Sequence, residues 1–199
     1  MIPQAILTLI DRLARLPSVG PRLATRLAFR LAGSDRAAAA GLAEAFAALM
    51  KIERCDRCFF FKPTAEATCP LCTNPERNPS AVAIVGKETD LMAIEKAGVW
   101  KGRYLVFGEP AERGALGAAE RLRLDALETR IRDELGGQIE EICIALPPTG
   151  AGDFTATLIT QRFQPLAKRI TRIGRGVPTG ADLEFADAET LAGSFTGRT

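Results

Sequence analysis

Residues 55–72 read CDRCFFFKPTAEATCPLC and place four cysteines in two C-x2-C pairs, at Cys55, Cys58, Cys69 and Cys72. Two such pairs joined by a short loop can close a tetrahedral shell of sulfur around Zn2+. The prolines of this stretch and its polar middle indicate a small element that is not a helix. Because four thiolates leave no open position for water, the pattern predicts one structural zinc ion per chain and not a catalytic one.

Two disulfides or four buried free thiols are the alternatives to zinc. The sequence has no signal peptide, and the fifth cysteine, Cys143, lies alone in an apolar run. Both features favour a reducing cytoplasm, where disulfides rarely persist, so zinc is the preferred interpretation. Cys143 has no basic residue or histidine beside it and is expected to be a small buried hydrophobic side chain.

Histidine is absent from all 199 residues, which excludes Ser-His-Asp and Cys-His catalysis and imidazole ligands for a metal. No apolar run approaches the ~20 residues that span a bilayer, so a soluble, cytoplasmic protein without a membrane partner is expected. The net charge is only +2, yet residues 1–54 carry eight Arg and Lys against four Asp and Glu. This uneven charge predicts a local contact with a polyanion.

Residues 1–54 are predicted to form three helices. The first covers about 4–16, and LPSVGPR (16–22) interrupts it, with Pro21 well placed as the first residue of the second helix. A third, alanine-rich helix starts near Ser34 or Asp35 and runs to about residue 50. The second helix has one apolar face and one basic face, formed respectively by Leu23, Leu27, Leu31 and by Arg22, Arg26, Arg30.

The turn before the second helix is a candidate phosphate site. Gly20 lets a ligand approach the backbone, and the free N–H groups of a helix N-terminus, together with the helix dipole, attract anions. Arg22, Arg26 and Arg30 would add contacts to phosphate oxygens that do not depend on base sequence. An ordinary helical corner with a solvated basic face is the alternative. The lack of acidic residues between Arg12 and Arg30 favours sequence-independent DNA binding.

From residue 81 onward the pattern changes to alternating strands and helices. Short apolar runs at 81–85, 104–107, 142–146 and 169–173 alternate with helical patterns near 88–97, 118–135 and 153–167. This order predicts βαβ units with a parallel sheet. NPERNPS (74–80) is interpreted as a linker. Residues 175–199 are expected to be irregular, with a short helix around 188–194.

Acidic residues follow the predicted strands, where sites of open parallel sheets gather. Glu88, Asp90, Glu109 and Asp153 could converge there on Mg2+. A carboxylate in the first turn of the following helix is the alternative, because the helix dipole also favours it there. The ligand set is incomplete, so a magnesium site is the weaker interpretation. Trp100 and Tyr104 are expected to be packing residues at the start of a strand.

The motifs LPSVGPRLATRLAF, CDRC with CPLC, TDLMAIEKAGVWKGRY and GVPTGADLEFADAETL follow one another in this order. In this combination, over essentially the whole chain, the sequence resembles the RecR family of recombination-mediator proteins. The resemblance implies a helix-hairpin-helix DNA-binding region at 1–54, a four-cysteine zinc finger at 55–78, a Toprim-like parallel α/β domain at 79–174 and a C-terminal segment at 175–199. It also implies that Arg22 and Arg26 contact DNA.

The resemblance further implies a function. It points to a non-enzymatic mediator of recombinational DNA repair that acts with RecO and RecF as a ring-like homodimer or homotetramer on DNA, associated with the nucleoid. The chain departs from the family pattern at Gly86 and Ala151, where the Toprim domain usually carries glutamates. The alternatives are a Mg2+-dependent Toprim nuclease or phosphotransferase using Glu88, Asp90 and Asp153, and an adaptor whose basic helix binds an acidic protein.

Overall fold

The computed structural model describes residues 1–110 and 115–196. It divides the chain into two units, Met1–Ile52 and Glu53–Thr199. The predicted fold class is confirmed within the described residues: N-terminal helices are followed by a cluster of four cysteines and by a four-stranded parallel sheet in a mixed α/β unit. No described helix combines the length and the apolar character that a bilayer crossing requires.

Residues 1–52, all of which the structure describes, form the helices α1 (Gln4–Ala14), α2 (Pro21–Ala32) and α3 (Arg36–Leu49). As predicted, Pro21 is the first residue of α2. Asp35 caps α3, because its Oδ1 accepts the backbone N–H of Ala37 at 3.0 Å. The caps and the proline therefore fix where these helices begin.

Small side chains, not leucines, form the buried face of α2. Ala24 and Ala28 lie one turn apart and are completely buried, whereas Leu23 on the predicted apolar face keeps 41% of its surface exposed. Helices α1 and α2 pack on each other, and short side chains at such spacing allow two helix backbones to approach closely. The larger apolar side chains of this unit are left only partly covered.

The cysteine stretch contains a small two-stranded sheet, formed by β1 (Ile52–Arg54) and β2 (Phe61–Pro63), and one helical turn, α4 (Pro70–Thr73). The expectation that this stretch lacks helix was therefore wrong for four residues. Proline suits the first position of a helix, and the carbonyl of Cys69 accepts the N–H of Cys72 at 3.0 Å.

The α/β unit contains the strands β3 (Asn78–Val85), β4 (Gly102–Val106), β5 (Ile139–Ala145) and β6 (Ala167–Arg172). Their order in the described sheet is β4-β3-β5-β6, and every neighbouring pair is parallel. The connecting helices are α5 (Glu88–Ala97), α6 (Ala118–Glu134) and α7 (Gly150–Phe163). The alternation of strands and helices in the sequence thus predicted the sheet correctly.

The start of β3 differs from the prediction, because residues 78–80 belong to the strand and not to a linker. Asn78 pairs with Gly102, and its N–H donates to the carbonyl of Lys101 at 2.9 Å. The register shifts between Asn78 and Val82. Pro79 lies in this irregular part, where the missing N–H of proline does not break a regular ladder.

The core lies around the two central strands and the inner faces of the three helices. Tyr104 is buried in it and donates its hydroxyl to Glu95 Oε1 at 2.6 Å, while Trp100 Nε1 donates to the carbonyl of Arg103 at 3.0 Å. Both aromatic residues are packing residues, as expected. Cys143 lies in β5 but is half-buried and not fully buried; burial raises the pKa of its thiol.

Residues after β6 run without regular structure to a single 3-10 turn at Leu183–Phe185 and then form α8 (Ala188–Thr196). The short helix expected near 188–194 is confirmed and is slightly longer. Residues 111–114, between β4 and α6, lie outside the described residues.

Candidate nucleic-acid interface and metal centre

The N-terminus of α2 is open to a ligand. Gly20 precedes the helix in an extended conformation, and within residues 1–52 no side chain caps α2 and no acidic residue lies in its first turn. A Cβ atom built on Gly20 would meet no atom within 4 Å, so the space beside the helix end is free. Because the first N–H groups of a helix lack partners inside it, they are available to an anion.

Arginines continue this positive surface along α2. Arg22, Arg26 and Arg30 are exposed and follow one another at steps of about 6 Å along the helix axis. None of the three forms an ion pair with a described carboxylate, whereas Arg15 in α1 is bound to Asp11 at 3.0 Å. A shallow groove of about 370 Å³ lies between Arg26, Arg30 and two leucines of the same helix.

The four cysteines converge as their spacing predicts. Their Sγ atoms all lie within 4.8 Å of one another, the Cys58–Cys69 pair at 3.3 Å, and all four side chains are buried. A tetrahedral ion with Zn–S bonds of about 2.3 Å separates its sulfur ligands by about 3.8 Å. The cluster therefore fits a metal ion without rearrangement of the chain.

The buried thiols differ in their tendency to ionise. Contacts with Cys55 raise the pKa of Cys58 and of Cys72. Contacts with Cys58 lower the pKa of Cys55. Cys55 acts to raise the pKa of Cys69, but contacts with Cys58 and Cys72 outweigh this effect and lower the pKa of Cys69 to about 7. Four thiolates at one buried point repel one another, so all four ionise together only when a metal ion replaces the protons.

The cysteine element is attached to the α/β sheet by its backbone. The N–H of Val106 at the end of β4 donates to the carbonyl of Cys58 at 2.8 Å. Arg54 Nη1 donates to the carbonyl of Phe59 at 2.7 Å, and the guanidinium of Arg123 lies 5.5 Å from the centre of the Phe59 ring. The position of the first cysteine pair is thus tied to the edge strand β4 and to α6.

Phe59 adopts a positive φ of 60°, which L side chains rarely adopt. Its N–H donates to the carbonyl of Cys55 at 2.8 Å, and this closes a tight turn around the first cysteine pair. A strained residue of this kind persists only where its surroundings hold it in place.

The predicted acidic residues do not form a metal site in residues 1–110 and 115–196, where the four cysteines make up the group of ligands close enough to hold an ion. Glu88 binds Arg54 at 2.6 Å, and Glu109 binds Lys87 at 3.2 Å. Asp90 Oδ2 accepts the N–H of Lys87 at 2.9 Å and so caps α5. Each of these three carboxylates therefore already binds a cation or a backbone N–H of the protein.

Asp153 joins the first turn of α7 to the end of the sheet. Its carboxylate binds both Arg172, in β6, and Arg175, just beyond it. Hydrogen bonds from Arg175 and then from Arg172 hold the pKa of Asp153 below its usual range. Since two guanidinium groups surround one carboxylate, the local charge is positive and unsuited to a divalent cation.

Gly86, where the family resemblance led us to expect a glutamate, lies beside the cap of α5. A Cβ atom at this position would lie 3.2 Å from Asp90 Oδ2 and 3.7 Å from Pro147 Cδ. The capping carboxylate of Asp90 therefore lies close beside the backbone of Gly86, and a side chain here would require it to shift by a few tenths of an ångström.

Sequence reasoning missed the arginines that hold the cysteine element, above all Arg130. This residue lies on α6 between the buried Leu127 and Ile131 and is itself 6% exposed. The signal was present in the sequence, because an arginine at core spacing on a helix is unusual and implies a buried polar partner.

Comparisons with known proteins cover nearly the whole chain. The family model described as "RecR, helix-hairpin-helix" matches residues 6–50, "Toprim domain" matches residues 80–174, and "RecR, C-terminal" matches residues 176–199. The first match includes all of α2 and α3 and most of α1, and the second includes the parallel sheet from residue 80 onward.

Curated relatives agree over their full length. The protein "Recombination protein RecR" of Nocardioides sp. (strain ATCC BAA-499 / JS614) is 38% identical over 96% of this chain and 94% of its own. Proteins of the same name from Roseiflexus sp. (strain RS-1) and Chloroflexus aggregans are 38% and 36% identical over 100% of this chain and 95% of their own.

Proposed function

The chain belongs to the RecR family of recombination proteins, which serve recombinational DNA repair, and on this premise we propose that it is a non-enzymatic mediator that binds DNA without sequence preference. The observation that carries the proposal is the row of exposed arginines beside the open N-terminus of α2, none of which forms an ion pair with a described carboxylate. It would act at the nucleoid, in the cytoplasm.

DNA binding would use two kinds of contact. The free N–H groups after Gly20 would bind one phosphate, and Arg22, Arg26 and Arg30 would bind further phosphates along about 12 Å of helix. Such contacts position a strand but do not distinguish bases. Fluorescence anisotropy with several labelled DNA sequences tests this proposal, because similar affinities are expected for all, whereas a pure protein adaptor would bind none.

Zinc is the metal that we propose for Cys55, Cys58, Cys69 and Cys72, as one structural ion per chain. Soft thiolate ligands in a closed shell suit Zn2+ and leave no position for a substrate. We also propose the division into a helix-hairpin-helix region (1–54), a zinc finger (55–78), a Toprim-like domain (79–174) and a C-terminal segment (175–199).

The contacts that the acidic residues make agree with a mediator that has no enzymatic activity. Glu88, Asp90 and Asp153 are engaged in structural contacts, and Gly86 cannot act as an acid or a base. The Toprim-like domain is then a surface for other proteins, and we propose RecO and RecF as its partners.

The partner proposal predicts that the tagged protein retains RecO and RecF of the same cell in a pull-down assay, more strongly when gapped DNA is present. The reason is that a DNA-bound mediator and its partners share one ligand and so raise each other's local concentration. Retention of neither protein, with or without DNA, would contradict the proposal.

Self-association is supported by the surface of α3. Leu42, Phe46 and Leu49 follow one another on one face, and Phe46 and Leu49 keep 62% and 63% of their surface exposed. No residue of α3 is buried. Because a large uncovered apolar stripe is typical of a protein interface, we propose that α3 takes part in the contacts of a ring-like homodimer or homotetramer.

This interface predicts that the parent protein sediments as a dimer or tetramer and that the double variant F46S/L49S sediments mainly as a monomer. Both substitutions remove apolar surface from the interface, so an oligomer with an interface of ordinary size should dissociate at micromolar concentration. The control E44S changes the opposite side of α3 and should leave the sedimentation coefficient unaltered. A monomeric parent protein, or an unchanged double variant, would rule this interface out.

A further inference from the structure

Arg130 is a buried cation without an anionic partner among the described residues. It keeps 6% of its surface exposed, and its Nε and Nη2 atoms are buried without a hydrogen-bond partner. Its Nη1 donates to the backbone carbonyl of Arg57 at 3.0 Å. A buried guanidinium that lacks an anion is strongly unfavourable, so its position calls for a compensating charge.

The surroundings of Arg130 add positive charge and little negative charge. Burial lowers the pKa of Arg130, and the nearby Arg57 and Arg103 lower it further. Glu134 is the carboxylate in this group, and it is already bound to Arg57. Arg103, like Arg130, has a buried Nε without a partner. The charge near Arg130 is therefore more positive than negative.

The cysteine cluster is the group next to Arg130 that can supply negative charge once it binds a metal ion. Arg57, whose carbonyl holds Arg130, stands between Cys55 and Cys58, and Cys72 is the main group that acts to raise the pKa of Arg130. A divalent ion held by four thiolates carries a net charge of about −2. Such a buried anion would balance the charge of the buried Arg130 guanidinium.

We propose that Arg130 is the counter-cation of the metal–thiolate centre: from α6 it holds the backbone between Cys55 and Cys58 and balances the excess negative charge of the bound ion. Arg130 thereby sets the affinity for the metal and links the metal centre to the core of the α/β unit. The inference rests on the proposed metal site and names a residue that acts through the ligands, not a ligand itself.

The test measures zinc affinity by competition with a chromophoric chelator in the full-length protein. R130M keeps the apolar stem and removes the charge, and we expect it to weaken zinc binding by about 10- to 100-fold, as is typical for residues that support metal ligands. R130K keeps the charge but lacks the planar fork, and we expect an affinity within about threefold of the parent protein. R132M, an exposed arginine of the same helix bound to Glu128, is the matched control and should bind zinc as the parent does.

The outcomes separate a charge effect from a purely structural contact. Lysine can also donate to the carbonyl of Arg57, so the neutral donor of R130Q separates the two effects. If R130Q binds zinc as tightly as R130K, the hydrogen bond is all that Arg130 supplies and the proposal is overturned. An R130M affinity equal to that of R132M also overturns it. Should R130M fail to fold, R130Q and R130K decide alone: an affinity of R130Q about tenfold below that of R130K supports the proposal, and equal affinities contradict it. If the parent protein binds no zinc, the proposed metal site is itself wrong. The chelator assay detects this failure before any variant is compared.

Discussion

Replacing Cys58 with serine is expected to abolish metal binding and to lower the free energy of unfolding by more than about 4 kcal/mol, because loss of a structural metal is among the most damaging changes a small element can undergo. For a chain of this size the loss corresponds to a decrease of roughly 8–16 °C in the melting temperature. A serine hydroxyl does not supply the thiolate that closes the shell.

The effect should extend beyond the cysteine element. The carbonyl of Cys58 accepts the N–H of Val106 in the edge strand β4, and the neighbouring Arg57 is held by Arg130 and Glu134 of α6. Without the ion, the four cysteines no longer share a ligand, and fewer interactions hold Phe59 at its positive φ. Hydrogen exchange should therefore rise in β4 as well as in residues 55–72.

Measurements of metal content and of thermal unfolding test this prediction for C58S, with C143S as the matched control. Cys143 lies in β5, away from the cluster, and is half-buried, so its replacement should leave one metal ion per chain and shift the melting temperature by only a few degrees. If C58S retains a full complement of metal and melts with the parent protein, the cysteines do not form a structural metal centre.

The double variant R22A/R26A is expected to bind DNA about 100-fold more weakly than the parent protein at moderate salt. Each arginine is assigned one charge-assisted phosphate contact, and two such contacts together are worth roughly 3 kcal/mol. The two side chains are exposed and form no ion pair with a described carboxylate, so their loss should not affect folding.

Fluorescence anisotropy with a labelled duplex measures the affinity, and R132A/K168A is the control with the same change in net charge. Arg132 and Lys168 lie in the α/β unit and are bound to Glu128 and Glu140. The control should bind DNA within a few-fold of the parent protein. Equal losses in both double variants would mean that net charge, and not the surface of α2, governs binding.

The elements were predictable because the sequence carries strong local signals. Pro21 and Asp35 fixed two helix starts, the short apolar runs fixed the strands, and the cysteine spacing fixed the cluster. Each of these signals acts over a few residues, where steric and capping rules decide the conformation. The family resemblance then assigned the parts to one known arrangement.

Contacts between distant residues were beyond such rules. Asp153 has a sequence position that suits a metal ligand, but Arg172 and Arg175, about twenty residues later, bind it. Likewise, Arg130 reaches the carbonyl of Arg57 across the fold. Ion pairs of this kind depend on how elements pack, and sequence periodicity does not report which charged side chains meet.

The salt dependence of DNA affinity tests the central claim most directly, since phosphate contacts release counterions. On a duplex, the logarithm of the association constant should fall linearly with the logarithm of salt concentration, and R22A/R26A should reduce the slope by about 2 for each bound protomer. Unrelated DNA sequences should give the same line. A parent affinity that does not depend on salt, or a slope that R22A/R26A leaves unchanged, would contradict the assignment of α2 as the surface that binds the phosphate backbone.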